Sequence, residues 1–182
     1  MIPFQIQLED FLLGFTGIAR FMQMRWSWPL IESAHFVGLT LLVGSIAAWD
    51  LRLMGLIRTV PVVAFHRLIP FAIAGFVVNV VTGLLFLMTY PDQYVYNSAF
   101  HVKILFLLLA GANVAIFYVA TFKDVSRLGP GVQAPPMARA CGFISLAMWM
   151  GIIVCGRLIT FFRPELCATD TVRAFIASCV VR

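Results

Sequence analysis

The chain has 182 residues, of which 62% are hydrophobic and only 12% charged, against about 25% charged in an ordinary soluble domain. That balance leaves no room for a soluble domain of any size, so a soluble catalytic unit is expected to be a separate chain. The formal net charge of +5 reads as a topology signal and not a nucleic-acid one, because no basic run interleaved with aromatics accompanies it.

Residues 4–25 come first. Phe4, Leu8, Phe11, Leu12, Phe15, Ile18, Ala19 and Met22 recur at three- and four-residue spacing, and Glu9, Asp10 and Arg20 fall largely off that stripe. The pattern predicts an amphipathic helix lying in the membrane interface. The opening Met-Ile-Pro-Phe-Gln has no basic region or small-residue cleavage site, so no cleavable leader is expected. Trp26 and Trp28 follow, at the level of an aromatic belt.

Four apolar runs then dominate, over residues 29–49, 68–90, 100–122 and 140–162. Each is about 20 residues long, the length with which an α-helix crosses a ~30 Å hydrocarbon layer. Inside lipid a spanning segment must satisfy its own backbone hydrogen bonds, so the runs should be helices. The predicted fold class is all-α: a four-helix transmembrane bundle behind an N-terminal interfacial helix, in a single integral membrane domain. Pro70 lies in the first turns of the second run, where a missing N–H costs little. Residues 91–99 form a short polar linker, residues 129–136 a turn-rich loop. A tail over 163–182 is expected to include a short helix from Thr171.

An even number of spans puts both termini on one side. Loops 50–67 and 123–139 concentrate basic residues close to helix ends. That favours cytoplasmic loops and periplasmic termini in a bacterial inner membrane.

Ionisable residues inside a membrane are costly and therefore candidates for function. Glu32 and His35 are three residues apart, on one helix face. Glu32 could orient the imidazole, move a proton or share a metal; the plain alternative is a headgroup-level charge and a packing histidine. His101 opens the third run, which crosses in the same direction as the first. Two imidazoles on parallel helices can serve as axial ligands of one haem b. Arg157, Lys103 and Arg25 could hold its propionates, or simply snorkel to the interface.

His66 is the only other histidine and reads as a surface or interface residue. Asp50 and Arg52, with His66 and Arg67 nearby, predict an ion pair fixing a loop. Asn79, Thr82 and Asn113 predict hydrogen bonds between helices. Gly38, Gly44, Gly75, Gly83, Gly111, Gly151 and Gly156 predict close helix packing. The four cysteines form no CxxC, so zinc and iron–sulfur sites are not expected. Cys167 and Cys179 could pair if the tail is periplasmic. There is no nucleophile elbow, P-loop, HExxH or dinucleotide fingerprint, so the chain is not expected to be an enzyme on its own.

A longer pattern runs through these residues: W-x-x-P-x-x-E-x-x-H-x-x-G over 26–38, then D-L-R-L-x-G over 50–55. With stretches 82–85, 97–103 and 110–113 it resembles a bacterial family of small multi-span membrane proteins of unknown function. That family is distantly similar to CopD-type copper-resistance membrane proteins and to four-helix cytochrome b subunits. The resemblance implies haem and electron transfer, or copper handling. Three histidines leave room for one bis-histidine haem. The expected role is a cytochrome b-like membrane subunit passing electrons within a complex, with lipid, other membrane subunits and quinone as partners and no nucleic acid. The alternatives are a cofactor-poor accessory subunit of a larger respiratory or photosynthetic assembly, and a copper-handling or small-solute transporter.

Overall fold

The computed structural model describes residues 2–161, all of whose regular elements are helices. In chain order they are α1 (Ile2–Leu13), α2 (Thr16–Met22), α3 (Ser27–Met54), α4 (Val62–His66), α5 (Ile69–Thr89), α6 (Pro91–Val95), α7 (Ser98–Ala120), α8 (Phe122–Val125) and α9 (Pro136–Phe161). Four stretches are long and apolar enough to cross a membrane: Ser27–Met54, Val62–Thr89, Ser98–Ala120 and Pro136–Phe161. Their outward surface carries Phe36, Val37, Phe71, Val77, Leu108, Val119, Phe143 and Met150, all well exposed. So much exposed apolar area suits lipid and not water. The protein is an integral membrane protein built on an all-α four-helix bundle. The expected Cys167–Cys179 pair and the helix from Thr171 lie outside the described residues.

Local chemistry sets the helix ends. Asn97 caps α7 by accepting a 2.9 Å hydrogen bond from the Ala99 N–H. Pro136 takes the first position of α9, where no partner for its missing N–H is needed. Pro70 cannot donate to the residue four before it, which is His66, and α4 ends there before α5 resumes at Ile69. Gly55 closes α3 at φ 86°, with the Leu56 N–H returning 3.0 Å to the Leu51 carbonyl.

The helices stand in the order α5, α3, α9, α7, with α3 packed on α5 and α9, and α7 packed on α9. Small residues set the crossings. A Cβ on Gly75 would lie 2.5 Å from the Gly38 carbonyl oxygen, and one on Gly151 would lie 2.6 Å from the Phe106 ring. The other expected contact glycines behave differently: Gly44, Gly83 and Gly111 face open space. The two outer helices, α5 and α7, hardly touch each other.

The N-terminal segment departs from the expected single amphipathic helix. It breaks at Gly14 into α1 and α2, because glycine is a poor helix former. The segment docks on α5 and α6. Its faces are also partly reversed: Phe4 and Phe11 are exposed, whereas Glu9 is buried and accepts a 2.7 Å hydrogen bond from the Tyr96 hydroxyl. In lipid an outward phenylalanine costs nothing, and a carboxylate turns inward to find a donor. At the aromatic belt, Trp28 packs against Phe86 and Tyr90 while Trp26 stays exposed beneath the Arg25 guanidinium.

At the far end of the bundle, loop 55–61 meets loop 126–135. The Gly131 N–H donates to the Arg58 carbonyl at 2.7 Å. Arg52, fully buried, holds both loops: its Nε donates to the Val60 carbonyl at 2.6 Å, and Nη2 to the carbonyls of Gly129 and Val132 at 3.2 and 3.3 Å.

Candidate functional site

Because α5 and α7 stand apart, a cleft of about 520 Å³ opens between them, with α3 and α9 as its floor. Ile73 and Phe76 of α5 and Val114 and Tyr118 of α7 line it and are exposed, so the mouth faces lipid. Gly111 also lines the mouth, where a Cβ would meet nothing. The volume falls within the roughly 300–1,000 Å³ of small-molecule sites.

The floor is polar. Asp50 lines the cleft from α3 and is only 3% exposed, and its Oδ2 has no hydrogen-bond partner. The buried Ser145 hydroxyl of α9 faces that carboxyl. One turn further along α9, Trp149 is 7% exposed, and its Nε1–H is likewise without a partner. Asn113 of α7 also lines the floor, with its Nδ2 donating 3.0 Å to the Cys141 carbonyl. Buried polar groups are almost always satisfied. A free carboxyl oxygen and a free indole N–H in one cavity therefore ask for a ligand group or water. An aromatic cluster closes the loop end, where the His66 ring packs on Trp49 and Phe122 and its Nε2 lies 3.2 Å from the Tyr118 hydroxyl.

The ion pair expected of Asp50 and Arg52 is not formed. Among the described residues Asp50 has no basic partner, and Arg52 is engaged by loop carbonyls instead. The reason is angular: residues two apart on a helix point about 200° apart, so one faces the cleft and the other the loops. His66, expected at a surface, is half-buried among aromatics. Of the polar mid-span residues, Asn113 and Thr82 do bond between helices, whereas Asn79 donates to the Gly75 carbonyl of its own helix.

The other sequence candidates lie toward the opposite end. The His35 Nδ1 is 2.7 Å from the Thr82 hydroxyl, and its ring lies against Phe86. Thr82 donates its own proton to the Val78 carbonyl at 2.7 Å, so it accepts from His35, and the imidazole keeps a bare Nε2. His101 is exposed and donates from Nε2 to the Val95 carbonyl at 3.0 Å. No hydrogen bond or ring contact joins His35 to His101, and neither lines the cleft. The Lys103 amine is an electrostatic neighbour of both His35 and Cys155. Glu32 and Arg157 are exposed. No group of three or more potential metal-ligating side chains occurs among the described residues.

Comparison with protein-family models, curated proteins and solved structures finds no match. Sequence reasoning missed Ser145 and Trp149 as site residues. Their spacing of four on one helix face, opposite the lone carboxylate at the end of the first span, is the signal that could have found them.

Proposed function

We propose that this protein is a small membrane subunit that takes a lipid-soluble molecule from the bilayer into the cleft between α5 and α7. The observation that carries the reading is the cleft itself: apolar walls, a mouth open to lipid, and unpartnered polar groups on the floor. A partner helix is a poor occupant. It is about 10 Å across and many turns long, which a cavity of about 520 Å³ does not accommodate. The test is photolabelling of the protein in lipid nanodiscs with a diazirine-bearing decanol, with adducts mapped by mass spectrometry. Adducts are expected on Phe76, Val114 and their neighbours, and are expected to disappear in Gly111→Trp, which fills the mouth without a backbone clash. Equal labelling of Gly111→Trp at those positions would end the reading.

A second reading follows the family resemblance, that of a haem-bearing electron-transfer subunit with quinone as a partner. The bare Nε2 of His35 favours it, because a ligating histidine usually donates its other ring N–H to a neighbour. His101 would be the second axial ligand and would have to leave the Val95 carbonyl. When bound, the haem would supply one-electron chemistry. His35→Ala and His101→Ala are each expected to remove a b-type absorption band, and His66→Ala to leave it. A purified wild type without that band would leave the accessory-subunit role. On either reading the bacterial inner membrane, with cytoplasmic loops 50–67 and 123–139, is the proposed setting.

A further inference from the structure

Resting on the cleft reading, we infer that the cleft selects a neutral molecule whose head carries a hydroxyl and a second oxygen, as a hydroquinone does, held by Asp50 and Trp149. The two groups differ in what they ask for. The indole N–H of Trp149 can only donate, and the Asp50 carboxyl keeps an acceptor lone pair in either protonation state. Both line the same cavity, both are more than nine-tenths buried, and neither Nε1 nor Oδ2 has a partner.

Each candidate head can be weighed against that pair. An ammonium offers donors only and leaves the indole unsatisfied. A carboxylate offers acceptors only and faces another carboxyl. An alkyl chain satisfies neither group, and burying an unmade hydrogen bond costs about 1–3 kcal/mol each. A hydroxyl donates to Asp50, and a second oxygen accepts from Trp149. Ser145, which faces Asp50, is four residues from Trp149, about 6 Å along α9. A ring with oxygens on opposite sides spans such a separation better than a single oxygen does. The apolar remainder of the molecule would leave between Phe76 and Val114 into lipid.

The experiment is competition against the diazirine decanol, in nanodiscs, by decyl hydroquinone and by decylamine. The hydroquinone is expected to displace the photoprobe at lower concentration than the amine. Trp149→Phe and Asp50→Leu should each weaken hydroquinone competition by about three- to tenfold, the worth of one hydrogen bond. Asp50→Asn, which keeps an acceptor, should weaken it less than Asp50→Leu. Trp149→Phe keeps the ring and loses only the N–H, so its thermal midpoint should match wild type, and it decides the matter if Asp50→Leu does not fold. Amine competition as strong as hydroquinone, or unaltered hydroquinone competition in Trp149→Phe, would overturn the inference while leaving the cleft reading intact. Absence of photolabel from the cleft takes down both.

Discussion

Arg52 and Asp50 are two residues apart and do opposite things. Arg52 uses the fork of its guanidinium to hold carbonyls from two loops that are far apart in sequence. A lysine there is not conservative, because a single ammonium on a flexible stem cannot reach three divergent carbonyls. Arg52→Lys is expected to lower stability by about 1–3 kcal/mol, the cost of buried groups losing partners. Thermal unfolding in detergent would measure it, and a midpoint equal to wild type would show that the clamp is not structural. Asp50 contributes no such clamp. It is a carboxyl held in an apolar cavity with one neighbouring hydroxyl, an arrangement that costs stability and is characteristic of sites kept for binding.

Packing at the level of elements depends on where a side chain would fit. Gly38 and Gly75 let α3 and α5 cross with backbone nearly touching backbone. Gly75→Ala must push the helices apart and is expected to cost about 1–3 kcal/mol, as overpacking does. Gly111→Ala meets nothing and gains helix propensity, so its thermal midpoint should equal or exceed wild type. Reversal of that order would refute the crossing. The spans themselves were legible because length and apolarity alone define them, and residues 29–49, 68–90, 100–122 and 140–162 all fall on the observed helices. The order α5, α3, α9, α7 was not legible. Helices that are apolar all round carry no stripe saying which side meets a neighbour and which meets lipid. For the same reason the gap between α5 and α7 could not be foreseen, nor that Trp149 would line it. The D-L-R-L-x-G stretch was noticed as a pattern, but only the fold separates its parts: Asp50 on the cleft floor, Arg52 in the loop clamp, Gly55 at the helix cap.

At the scale of the molecule, the two ends of the bundle are built differently. One end gathers α1, α2 and α6, with Glu9 bonded to Tyr96 and the Gln5 amide donating 3.4 Å to the Val95 carbonyl. The other end gathers loops 55–61 and 126–135 around Arg52. The polar cleft floor and its aromatic closure lie toward that second end, since Trp49 and Asp50 precede Met54 by only about a turn and a half of α3. A molecule entering from lipid would therefore present its head close to one membrane surface and leave its chain toward the midplane. Such an arrangement requires the two ends to face opposite sides of the bilayer. Single cysteines at Gln23 and Asp92, in a background without native cysteines, should react with an impermeant maleimide from one side of sealed vesicles. Cysteines at Arg58 and Ser126 should react only from the other. All four positions are exposed or half-exposed, so accessibility does not limit the reading. Labelling of Asp92 and Ser126 from the same side would break the four-span arrangement, and with it the membrane placement of the cleft.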